Sequence, residues 1–132
     1  MLQYQSSKTT VQQEQYVYSK NRKIMESITK PNILETYVLS GIRHYDINID
    51  IMQEGEMYKW EQVRVPYDKW NYSGVVDALV SHKYPIDKMQ AVINNYLLDP
   101  NDEYAVSEFH KMQEWRKEAK EIAKEALLYE LS

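Results

Sequence analysis

From Tyr45 the hydrophobic positions fall into a two-residue period. Tyr45, Ile47, Ile49 and Ile51 alternate with Asp46, Asn48, Asp50 and Met52, the pattern of a strand with one buried face. Glu54-Gly55 supplies a turn and MYKWEQVRV returns to Pro66, so the pattern predicts a β-hairpin over residues 43–65. Pairing Gln53 with Glu56 sets Ile51 opposite Tyr58 and Ile49 opposite Trp60. Val63 and Val65 then stand one step out of phase, which predicts a β-bulge near Glu61-Gln62.

Helical periods follow. Ser73 is read as the N-cap of a short helix over 73–83 carrying Val75, Val76, Leu79 and Val80. Pro85 breaks it and suits the first turn of a second helix over 86–98, where Met89, Val92, Ile93, Tyr96 and Leu97 recur at i, i+3, i+4, i+7 and i+8. Asn101 or Asp102 caps a last helix over 103–130, ~40 Å long at 1.5 Å per residue. Met112, Trp115, Ala119, Ile122, Ala126 and Tyr129 repeat along it as a coiled-coil-like seam, with Ala123 beside them small enough to admit a neighbour. A preceding helix of ~21 Å covers only half of that seam. The surplus predicts that a second chain or the N-terminal segment covers the rest.

The N-terminal third is less regular. Residues 1–31 form a polar arm rich in Gln, Ser and Thr, whose weak stripe through Val17, Ile24 and Ile28 is too sparse to order it alone. NILETYVLSG reads either as a short helix ended by Gly41 or, through Thr36-Tyr37-Val38, as a strand.

Charge sharpens the division. The net charge is −4, yet residues 1–30 hold five Lys/Arg against two Glu, leaving 11 basic against 18 acidic residues in the remainder. A basic arm on an acidic body suits an acidic partner, and Arg22 and Lys23 are its candidate contacts. At 132 residues, with 43% hydrophobic and 27% charged positions, the chain fits one modest core over residues 32–132. Twelve Tyr and three Trp against one Phe suit half-buried and interface positions. The absence of Cys excludes disulfides and thiolate chemistry, and no apolar run reaches the ~20 residues of a membrane span. The polar start carries no signal-peptide pattern, so synthesis in a cytoplasm is expected.

Candidate chemistry is thin. Asp46, Asn48 and Asp50 are spaced like the first ligands of a calcium loop, but the sixth and twelfth positions hold Ile51 and Met57 where that loop needs Gly and Glu. The trio is therefore read as the solvent or partner face of the hairpin, and no metal site is assigned. His44, His82 and His110 lie in separate elements without ligand spacing, and the glycines at 41, 55 and 74 form no phosphate loop. No catalytic residue and no cofactor is expected. Nucleic-acid binding falls to the arm alone, because the body is acidic, with a pI near 5.4.

One stretch carries a resemblance. Tyr84, Asp87, Met89, Ala91, Ile93, Asn94, Asn95 and Tyr96, followed by Glu108, Phe109, Met112, Gln113, Trp115, Arg116, Ala119 and Lys120, resemble the paired C-terminal helices of a loosely defined group of small phage and prophage proteins encoded among tail and virion-assembly genes of gut bacteria. The resemblance covers residues 72–127. It implies a place in the virion or its assembly, with no active site.

The fold class expected is α+β: an antiparallel β-hairpin, a short helix and a C-terminal helical hairpin ending in a long helix, plus the polar arm. The function expected is that of a non-enzymatic virion structural or connecting protein, an oligomer or part of a larger assembly of phage structural proteins. The alternatives are a tail or fibre assembly chaperone that leaves the virion, and a small nucleic-acid-binding regulator acting through the arm. Its expected interface residues are Met112, Trp115, Ala119, Ile122, Ala123, Ala126, Tyr129, Arg22 and Lys23.

Overall fold

The computed structural model describes residues 22–132, so the expectations for residues 1–21 of the arm lie outside the described residues. The class is α+β, with an antiparallel sheet and three helices. Where one domain is expected over 32–132, the chain divides between Asp68 and Lys69 into two compact units.

The first unit holds strands β1 (Ile24–Ser27), β2 (Leu34–Leu39), β3 (Ile42–Glu54) and β4 (Met57–Val65), paired antiparallel in the order β1-β4-β3-β2. Residues 34–39 are thus strand, not helix. Thr36 and Val38 favour the extended form, and Ser40 (φ 53°) with Gly41 (φ 77°) builds the two-residue turn that folds β2 back onto β3. Residues 24–27, assigned by sequence to the arm, instead pair with Tyr58–Glu61 of β4. Ile24 and Ile28 read there as a faint helical stripe, a local signal that long-range pairing overrides.

The β3–β4 hairpin forms with a different register. Glu54 pairs with Met57 across a Gly55-Glu56 turn, and Gly55 takes φ 62°, the sign that the first central position of a type II′ turn requires. The bulge lies in β3: Ile49 pairs with Glu61 and Met52 with Lys59, so Asp50 and Ile51 together face Trp60. Asp50 holds φ 55°, the left-handed conformation that Asp tolerates better than most residues. The extra residue brings Val63 opposite Ile47 and Val65 opposite Tyr45, so these buried side chains share one face with Ile49 and Leu34.

The opposite face of β3 is not solvent. Asp46 and Asn48 are 3% and 2% exposed. In an isolated hairpin their face would be bare, but β3 is an inner strand, and long polar side chains of its neighbours lie over them. Asn48 donates to the Asn32 carbonyl (2.8 Å) and accepts from Gln62 (3.4 Å). Asp50, at the bulge, alone of the trio is exposed.

The second unit is helical: α1 (Tyr72–Lys83), α2 (Ile86–Leu98) and α3 (Glu103–Leu131). Asn71, rather than Ser73, caps α1, its Oδ1 accepting from the Gly74 N–H at 2.9 Å. Gly74 is needed there because a Cβ would collide with the Lys69 carbonyl. Asp102 caps α3 as expected, accepting from the Ala105 N–H at 2.8 Å.

Both short helices run antiparallel to α3. Trp70, just before α1, donates to Glu130, while the indole N–H of Trp115 donates to the Leu79 carbonyl at 3.0 Å. Tyr96 at the end of α2 stacks on Phe109 near the start of α3, centroids 4.2 Å apart. The seam is therefore covered from within. α1 and α2 follow one another along it, ~18 and ~20 Å of helix against ~43 Å of α3.

Candidate interaction surfaces

The seam residues occupy one continuous face of α3, but that face is not open. Met112, Trp115, Ala119, Ala123 and Ala126 are buried. Ile122 is half-buried, and Tyr129 is exposed near the C-terminal end. The alanines are where α1 comes close, so the small-residue signal was real and its partner is the chain's own helix. Sequence arithmetic counted α2 as the only cover. It missed α1 because the break at Tyr84-Pro85 hides the fact that the chain continues along the same groove.

Arg22 is likewise engaged. It is 7% exposed and meets Glu61 of β4 in a bidentate pair, Nε to Oε1 at 2.9 Å and the Nη2 nitrogen to Oε2 at 2.8 Å. Planar fork geometry and burial make this a stronger contact than a surface ion pair. Lys23 is exposed.

On the polar face of the sheet, residues from three strands converge. Arg64 Nε donates to Asp46 Oδ1 at 2.9 Å, and its Nη2 donates to the Tyr37 hydroxyl at 2.7 Å. That hydroxyl in turn donates to Asp46 Oδ2 at 2.8 Å, and the ring stacks on His44 at 5.4 Å. Burial, reinforced by the hydrogen bond to the Asp46 carboxylate, pushes the Tyr37 phenol up to about 12. The same carboxylate raises Arg64. A closed ring of this kind fixes β2, β3 and β4 to one another; its acceptors are consumed internally, which suits architecture better than proton transfer.

In the helical unit a solvent-open groove of about 610 Å³ lies between the end of α1 and α3. Trp115 forms its floor, with Lys83 Nζ 4.0 Å above the ring, and His110, Glu114 and Glu118 stand along its α3 wall. No group of three or more His, Asp or Glu among the described residues is placed to hold a metal ion.

Exposed apolar side chains mark the remaining surfaces. In the helical unit they include Leu97, Leu98 and Tyr104 where α2 meets the start of α3, Ile86 at the opposite end of α2, and Leu128, Tyr129 and Leu131 toward the end of α3. In the sheet, Val38, Leu39 and Ile42 gather at the β2–β3 turn. Sequence reasoning left this last group unassigned because NILETYVLSG was open between helix and strand; the turn chemistry of Ser40-Gly41 was the available signal. No helix among the described residues is long and apolar enough to cross a membrane.

The chain matches no protein-family model, no curated protein and no solved structure.

Proposed function

We propose that this chain is a non-enzymatic structural or connecting component of a phage virion, acting through protein–protein contacts. The observation that carries the reading is a packed helical unit that keeps large apolar side chains on its surface. Ile86, Leu97, Leu98 and Tyr104 lie on or beside the two helices whose motif residues resemble phage tail and virion-assembly proteins. Leu97, Leu98 and Tyr104 gather where the two helices join, and exposed apolar groups concentrated in this way are the usual anchors of a protein interface. The partner expected is another structural protein of the particle.

Purified virions test this. The chain is expected at a fixed copy number in particles washed free of lysate. Its absence from the particle, combined with co-purification of an unassembled tail or fibre protein, would replace this reading with that of an assembly chaperone using the same surface.

A further inference from the structure

We infer that the corner joining α2 to α3 docks on a protein partner that offers an apolar surface bordered by Lys or Arg. The inference rests on this corner being a protein interface, as proposed above, and adds the chemistry of its occupant, whether or not the assembly is a virion.

The apolar part is large and held in place. Leu97, Leu98 and Tyr104 are 69%, 86% and 72% exposed, on either side of the short turn from the end of α2 to the start of α3. The Asp99 N–H donates to the Asn95 carbonyl at 3.2 Å and the Asp102 N–H to the Asp99 carbonyl at 3.1 Å, so the turn is closed by its own backbone. The Tyr96–Phe109 stack ties the two helices together beside it. Side chains carried on a backbone already fixed lose less freedom on docking.

Charge selects the occupant. Asp99, Asp102 and Glu103 are exposed between Leu98 and Tyr104, and the chain has no Lys or Arg between Lys88 and Lys111. Those two flanking cations are engaged elsewhere: Lys88 Nζ lies 4.8 Å above the Tyr84 ring, and Lys111 pairs with Glu108 at 3.3 Å. Asp99 accepts from the Asn101 N–H at 3.2 Å and Asp102 from the Ala105 N–H at 2.8 Å, contacts that orient the carboxylates without an opposing cation. The corner is therefore an apolar tip with an acidic rim. A second copy meeting it tip to tip would set like charges against one another, and a phosphate backbone or an anionic lipid surface would be repelled. An apolar surface with a basic border matches both parts.

The test uses the full-length chain and a defined probe. The probe is a fluorescent amphipathic helical peptide with Leu along one face and Lys along the other, measured beside the same peptide with Glu in place of Lys. Fluorescence anisotropy is expected to show the Lys peptide binding, more weakly as salt rises from ~0.05 to ~0.5 M, and the Glu peptide not binding. Leu98→Ser, and separately Asp99→Asn with Glu103→Gln, should each weaken binding about ten-fold or more. Leu128→Ser, toward the other end of α3, should leave it unchanged. A Lys peptide that does not bind overturns the proposal, as does equal binding of the Glu peptide or binding that the corner variants do not weaken. A wild-type dimer in light scattering that Leu98→Ser dissociates would give the corner to a second copy, and vesicle binding lost in that variant would give it to lipid; either overturns the proposal. Should the double variant not fold, Leu98→Ser and the salt dependence decide the question. Copy number in washed particles is a separate measurement, so failure of the virion reading and failure of this one are distinguishable.

Discussion

Two tryptophans show how much a single hydrogen bond depends on where the side chain lands. Trp115 is buried with its N–H on the Leu79 carbonyl, whereas the buried Trp60 N–H finds no acceptor among the described residues. A buried donor without a partner costs ~1–3 kcal/mol, so Trp60→Phe gives up packing but also removes that cost. Trp115→Phe is expected to destabilise the chain by about 1 kcal/mol more than Trp60→Phe, as measured by denaturant midpoints. At Ser40, a serine holds φ 53° in a turn whose preferred first residue is Asn. Ser40→Asn should stabilise by about 0.5 kcal/mol or more, and an unchanged or lowered melting temperature would count against strain at that position.

Tyr37 supplies the pH dependence that belongs to this scale. Its folded value of about 12 lies above the ordinary 10, so the protonated phenol contributes stability that is complete below pH 10 and lost as pH rises toward 12. In that window wild type should lose stability faster than Tyr37→Phe, which has no phenol to ionise. A spectrophotometric titration should find a late-ionising tyrosine in wild type that is missing from Tyr37→Phe. If the wild-type and Tyr37→Phe curves are parallel from pH 9 to 12, the hydroxyl is not held by Asp46 as described.

At the scale of elements, helix boundaries and the β3–β4 hairpin are legible in the sequence, and strand register is not. The expected helices over 73–83, 86–98 and 103–130 lie within a residue of Tyr72–Lys83, Ile86–Leu98 and Glu103–Leu131. Helix signals are local: a cap, a proline and a 3.6-residue period lie within each segment. Strand register depends on partners far along the chain, so the bulge was predicted in β4 and lies in β3. The consequence for the seam is direct. Ala123 is buried beneath α1 rather than offered to another chain, so Ala123→Glu should cost ~3 kcal/mol or more by burying an unpaired charge. Thermal melting checks this; an unchanged melting temperature with a lost assembly would restore the interface role.

At the scale of the whole molecule, charge bears on partners. Residues 31–132 carry 11 basic and 18 acidic side chains, and Arg22 of the basic arm is already paired with Glu61. Lys8, Lys20, Lys23 and Lys30 remain of the arm's five basic residues, too few to release many counterions from a polyanion against the acidic remainder. The chain is expected to give no DNA or RNA mobility shift at ~0.15 M salt. A salt-sensitive shift abolished by deleting residues 1–30 would favour the nucleic-acid regulator instead.

Periodicity and caps by themselves determined the α+β class, the three helices and the presence of a β3–β4 hairpin, because each signal is carried by residues within a few positions of one another. Positions without ligand chemistry also argued against a calcium loop at Asp46-Asn48-Asp50 from sequence alone. Only the tertiary structure decided what those polar residues do and what the alanine seam meets. Asp46 became an internal partner because β2 and β4 flank β3 and bring Tyr37 and Arg64 to it. The seam closed because α1 and α2 run in succession along one long helix. Both outcomes depend on contacts between residues tens of positions apart, and on free energies of packing that no single segment carries.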